Sequence, residues 1–171
     1  MDKSPHQSPS TGSAAIDGDY RYELSRQWSI ADPTAVLTVI MLNPSTADGM
    51  LDDPTLRRCI SLAKSAGADG LRVLNLFALR STDPEVLVTA ADPVGPANDE
   101  YLLAAAREST AIVAAWSGHK VARQRSGDVH AMLRANGVTL QCWGTTKLGH
   151  PRHPLYVRGS TVLTPWEPPA R

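Results

Sequence analysis

The sequence predicts an α/β fold, a three-layer sandwich on a central, mostly parallel sheet. Two patterns carry that expectation. Apolar strand-like runs alternate with helical stretches along most of the chain, and the runs are continuously apolar, as strands covered on both faces must be. At 171 residues the chain is long enough to bury a real core within one domain.

Residues 1–18, MDKSPHQSPSTGSAAIDG, are rich in Ser, Pro and Gly and predict a disordered arm, which leaves 19–171 as a single α/β domain. Tyr20–Ser29 alternates with period two and reads as an edge strand or hairpin. The apolar runs are Ala35–Leu42, Leu71–Phe77, Ala111–Trp116 and Val138–Trp143. Helical patterns lie between them, over Pro54–Ala66, Ala97–Arg107 and His119–Ala135. Pro54 suits a first helical turn with Asp53 as its cap, and Gly67 and Gly137 suit helix ends. The closing TPWEPPAR is too proline-rich to continue a helix or a central strand.

Bulk composition narrows the function. Seventeen basic and seventeen acidic side chains cancel, which argues against a dedicated non-specific nucleic-acid binder. Cys59 and Cys142 form no CxxC pair and cannot supply a four-thiolate cluster, so they read as reduced, buried thiols of a cytoplasmic protein. No window approaches the ~18–20 apolar residues of a membrane span, and no signal-peptide core is present. There is no GxSxG nucleophile elbow; with HExxH and GxGxxG also absent, and the spacing of His150 and His153 not diagnostic of a metal site, neither a metal nor an organic cofactor is expected.

A parallel sheet delivers the loops after its strands to one edge, where ligands of open α/β sheets bind. Those loops are polar: NPSTADGMLDDP, ALRSTDP, SGHK and GTTKLGHPRHP. The first carries Asn43, Pro44, Ser45 and Thr46, then Asp48, Asp52 and Asp53. Asp53 has a capping role, and two adjacent aspartates exceed what capping requires, so Asp52 or Asp48 is a candidate for chemistry. Asn75 sits among buried strand residues, and its amide must either tie loops together or face a ligand. Phe77 at the end of that strand and Arg80 on the loop after it accompany it. The fourth loop gathers Thr145, Lys147, His150, Arg152 and His153, donors suited to polarising a carbonyl or gripping a phosphate.

At MLNPSTADGMLDDPTLRRC, LNLFALRSTDP, DPVGPANDEYL and GTTKLGHPRHPLY the chain closely resembles a bacterial family described as domain of unknown function 1643, from about Arg21 onward. More distantly, the order of motifs resembles the uracil-DNA glycosylase superfamily. Asn43-Pro44-Ser45 stands where those enzymes place an Asn-Pro segment that positions water. Val73-Leu74-Asn75 is similar to their Leu-Leu-Asn segment, whose amide reads the base edge. His150-Pro151-Arg152-His153-Pro154-Leu155 looks like their His-Pro-Ser-Pro loop with one residue too many, so either histidine fits the leaving-group role. His153 is preferred for its following Pro-Leu.

The resemblance implies a uracil-DNA-glycosylase-like fold and hydrolysis of an N-glycosidic bond, with Asn43, Asp52 and His153 catalytic and a nucleobase-containing small molecule or nucleic acid as partner. The missing basic excess and aromatic wedge favour a free nucleoside, nucleotide or modified base. Two alternatives stand beside it. One is a non-catalytic module binding a nucleotide or nucleic-acid end. The other is a metal-dependent hydrolase using the Asp48/Asp52/Asp53 loop.

Overall fold

The computed structural model describes residues 11–45 and 52–170, and they form a mixed α/β fold on one seven-stranded sheet. Its strands are β1 (Thr11–Asp17), β2 (Tyr20–Gln27), β3 (Val36–Met41), β4 (Gly70–Asn75), β5 (Ala111–Ala114), β6 (Leu140–Cys142) and β7 (Thr164–Pro165). They lie in the order β1-β2-β4-β3-β5-β6-β7. The central strands β4, β3, β5 and β6 are parallel, and the outer pairings β1–β2, β2–β4 and β6–β7 are antiparallel. The parallel expectation therefore holds for the centre and yields to antiparallel pairing at both margins.

Helices cover both faces. On one, α1 (Pro54–Ser65) packs Leu56, Cys59, Leu62 and Ala63 against Leu37, Val39, Leu71 and Val73 of the sheet. On the other, α3 (Asn98–Glu108) and α4 (Ala122–Ala135) bury Leu102, Ala105, Val129 and Leu133 against Ile40, Leu74, Ile112 and Leu140. Each such leucine or valine contributes about 1.5–3 kcal/mol on leaving water. Helix α1 starts as its sequence predicts. Pro54 takes the first position, and the Asp53 carboxylate accepts the Leu56 N–H at 2.7 Å. A short helix α2 (Val86–Thr89) and a 3-10 turn at Pro154–Tyr156 complete the described elements. Among the described residues no helix is long and apolar enough to cross a membrane.

Two margins differ from the sequence reading. Composition predicts an arm through residue 18, yet Thr11–Asp17 forms β1, with residues 1–10 outside the described residues. Its side chains are mostly exposed, so its order comes from backbone pairing with β2 and from the 2.7 Å Ser13–Ser25 hydroxyl contact. The period-two segment is thus the second strand of a hairpin, and it lies inside the sheet rather than at its edge. At the other margin Thr164–Pro165 pairs as a two-residue edge strand, a place where proline is tolerated.

Candidate functional site

Met41 and Asn75 pair at the carboxyl ends of β3 and β4, so the loops that follow them emerge side by side. Asn43 joins the two. Its Nδ2 donates to the Ser81 carbonyl at 2.8 Å and to the Pro44 carbonyl at 3.2 Å, while the Ser81 N–H donates to the Pro44 carbonyl at 3.0 Å. From the opposite layer, buried Asn98 of α3 donates to the Asn75 and Leu76 carbonyls at 3.0 and 3.1 Å. Arg125 of α4 adds a bond to the Leu76 carbonyl at 2.9 Å. The Asn75 backbone is thereby fixed. Its side-chain amide, 2% exposed, makes no hydrogen bond to any described residue.

That amide lines a cavity of about 300 Å³, within the range of small-molecule sites. Leu24, Met41, Cys59 and Val73 give its apolar wall. Asn43, Ser45, Asp53, Asn75, Ser81 and His153 give its polar one. Burial, aided by the neighbouring Asp53 charge, pushes the Cys59 thiol up to about 12, so it stays protonated. Burial also lowers the His153 pKa below its ordinary value, and Asp53 opposes that shift in part. His153 Nδ1 accepts the Leu155 N–H at 3.3 Å as cap of the 3-10 turn. The neutral ring therefore carries its proton on Nε2, as a hydrogen-bond donor.

A second cavity of about 650 Å³ shares Met41, Asn43 and His153 with the first. It lies at the carboxyl ends of β3 and β5. The chain leaves β3 for the α1 face and β5 for the α4 face, so this is a topological switch point of the kind that binds ligands in open α/β sheets. Its walls are Trp116, Ser117, Gly118 and His119 after β5, facing Thr146, Lys147, Leu148 and His150. The latter sit on a small hairpin closed by Thr146 N–H to His150 carbonyl at 2.8 Å and by Gly149 N–H to Thr146 carbonyl at 3.0 Å. Gly149 has φ +83°, a left-handed turn position that favours glycine. Ser117 has φ +65°, unusual outside glycine, and its N–H is held by the Pro151 carbonyl at 2.9 Å.

The structure thus brings Asn43, Ser45, Asp53, Asn75, Lys147, His150 and His153 to one edge. Several other predicted residues stand elsewhere. Asp52 lines neither cavity, because its carboxylate is paired with Arg26, 5% exposed, at 2.9 Å. Phe77 is 5% exposed in the α3/α4-side core. Pro44 is buried and acts through its carbonyl. Arg80, Thr145 and Arg152 line neither cavity, and Arg152 Nε is bound to the Thr145 carbonyl at 2.9 Å. Thr46 and Asp48 lie outside the described residues. Among the described residues no group of three His, Cys, Asp or Glu is placed to hold a metal ion.

Sequence reasoning missed Arg21, Ser81 and Thr82 of the first cavity and gave Ser117 and His119 of the second little weight. Arg21 reaches the cavity through a bulge. Ala15 pairs with Glu23 and Ile16 with Arg21, so Tyr22 is an extra residue in β2. The insertion turns Arg21 to the same face as Leu24. Burial and the nearby Arg80 lower the Arg21 pKa, and Asp53 opposes this.

A family model described as a protein of unknown function, DUF1643, matches residues 21–155. No curated protein and no solved structure matches the chain.

Proposed function

The chain belongs to the DUF1643 family, and from its site we propose a glycosylase-like hydrolase that cleaves the N-glycosidic bond of a nucleobase-containing substrate, on a fold akin to that of uracil-DNA glycosylases. One observation carries the reading. The Asn75 amide, buried and uncommitted among the described residues, lines the same small cavity as Asp53 and His153. An amide offers both donors and an acceptor, which suits the edge of a base.

In this reading water adds to the anomeric carbon as the C–N bond breaks. The water proton passes to Asp53, and the bonding pair leaves with the base. His153 hydrogen-bonds to the departing base through Nε2–H, stabilising charge where it develops. Asn43 orders the two loops around this cavity through Ser81 and Pro44. Asp53 takes the role that the sequence assigned to Asp52, since of these two it is Asp53 that lines the cavity.

The test is base release from a panel of nucleosides, nucleotides and modified oligonucleotides, measured beside equilibrium binding. Asp53→Asn keeps a good helix cap, so the fold survives while turnover falls by roughly 10²–10⁴. Asn75→Ala instead weakens binding by about 1–3 kcal/mol, one to two powers of ten. A parent protein that binds these ligands and never releases base would overturn the hydrolase. That outcome would favour a second reading, a nucleotide-binding module. The commitment of the Asn43 amide nitrogen to backbone carbonyls supports it, since that nitrogen is then not free to position an attacking water.

A further inference from the structure

We propose that the second cavity is a phosphate subsite and that the substrate is a phosphorylated nucleoside, bound with its base in the first cavity. This rests on the nucleobase reading above and names what lies beyond the base. The two cavities meet at Met41, Asn43 and His153, so one ligand can occupy both.

Chemistry separates them. The first cavity contains a carboxylate, Asp53, and among the described residues the second is lined by no acidic side chain. In its place stand Lys147, His119 and His150, with the hydroxyls of Ser117 and Thr146. Several of these donors have no other employment among the described residues. The Lys147 ammonium forms no ion pair, and neither the His150 ring nitrogens nor the Ser117 hydroxyl is hydrogen-bonded there. Thr146 is different, for its hydroxyl accepts the His150 N–H at 3.2 Å. His119 is also engaged, its Nδ1 accepting the Val121 N–H at 3.3 Å and its Nε2 lying 3.7 Å from Glu85.

The placement is also rigid. Gly118 lies so close to His150 that an added Cβ would stand 2.8 Å from the ring Cδ2. Ser117 keeps its left-handed backbone through the bond to Pro151, on the very loop that bears His150. Donors uncommitted among the described residues, held over a concavity at a sheet switch point, suit a group with several acceptor oxygens and negative charge. A phosphate ester meets that description. The balanced charge of the whole chain, seventeen against seventeen, favours a small nucleotide over a polyanion, whose grip would need many more cations.

Titration of the full chain with inorganic phosphate isolates this subsite from base recognition. Saturable binding is expected, weakened at least tenfold in the Lys147→Ala/His150→Gln double variant and unchanged in Asn75→Ala. Lys147 is exposed, so Lys147→Ala alone supplies a variant whose folding is secure, with a smaller loss expected. Nucleoside monophosphates should bind at least tenfold tighter than the same nucleosides, and that advantage should vanish in the double variant. Absence of saturable phosphate binding, or equal binding by parent and double variant, overturns the subsite. Tighter binding of oligonucleotides than of monophosphates, with steep salt dependence, overturns the small-nucleotide assignment. Phosphate binding that persists while nucleosides fail to bind would sink the nucleobase reading and leave the anion site standing.

Discussion

Replacement of Trp166 by Phe tests how the carboxyl-terminal segment supports the hairpin beside the second cavity. Trp166 is 3% exposed, with its ring edge-on to Trp116 at 5.1 Å and to His130 at 5.9 Å. Its Nε1–H donates to the Gly149 carbonyl at 3.0 Å, inside the hairpin that carries Lys147 and His150. Phenylalanine keeps an aromatic ring, loses that donor and leaves a small void. The orphaned carbonyl is only partly buried, so its loss costs ~1 kcal/mol, and the missing ring volume about another. The sum, ~2 kcal/mol, lowers the melting temperature of a chain this size by roughly 4–8 °C. Urea unfolding should show an unchanged slope and a lower midpoint. Hydrogen exchange supplies the local readout. The Thr146 and Gly149 amides, both bonded within the hairpin, should exchange about tenfold faster, the equivalent of ~1.4 kcal/mol of local opening. A stability loss with those two amides unaffected would show that Trp166 anchors the core and not the hairpin.

Other perturbations follow from single groups. Burial holds the folded His153 pKa below its ordinary 6.5, so the unfolded chain takes up this proton first as pH falls. Stability should be flat with respect to this group above 6.5 and decline below it, and His153→Gln should remove that part of the decline in melts between pH 7.5 and 5; equal losses in parent and variant would refute it. Cys59, buried and pushed up to about 12, should resist thiol reagents in the folded protein and react only on unfolding; rapid labelling under native conditions would contradict its placement. The Tyr22 hydroxyl is buried with no hydrogen-bond partner among the described residues. Tyr22→Phe should therefore be neutral or stabilising by up to ~1 kcal/mol, and a clear destabilisation in urea would reveal a partner.

The centre of the fold was legible because the patterns there answer to burial. Ala35–Leu42 and Leu71–Phe77 read as strands covered on both sides, and Val36–Met41 and Gly70–Asn75 are those strands. Asp53-Pro54 announced the start of α1 for reasons of capping alone. The margins were harder to read. Thr11–Asp17 buries almost nothing, so its order depends on a partner that its own composition does not encode. The two-residue β7 falls below any periodicity, and α2, four residues long, has too few turns to show an apolar stripe.

Within the site, legibility followed how directly position in sequence sets direction in space. Asn43 and Asn75 end paired parallel strands, and topology alone brings them to one edge. The aspartate pair defeats that logic. Asp53 caps its helix from extended backbone, where neighbouring side chains point apart, and of the two it is Asp53 that lines the cavity. Which one depends on Arg26, a buried cation on another strand that claims Asp52. A carboxylate so engaged is costly to release, because an arginine 5% exposed would lose an ionic partner. Asp52→Asn should accordingly lower stability by roughly 1–3 kcal/mol while base release per folded molecule stays within a few-fold of the parent. Asp53→Asn should do the reverse. Turnover loss in Asp52→Asn at full stability would mean that the two carboxylates exchange places when substrate binds, and Asp52 would regain the role its sequence position suggested.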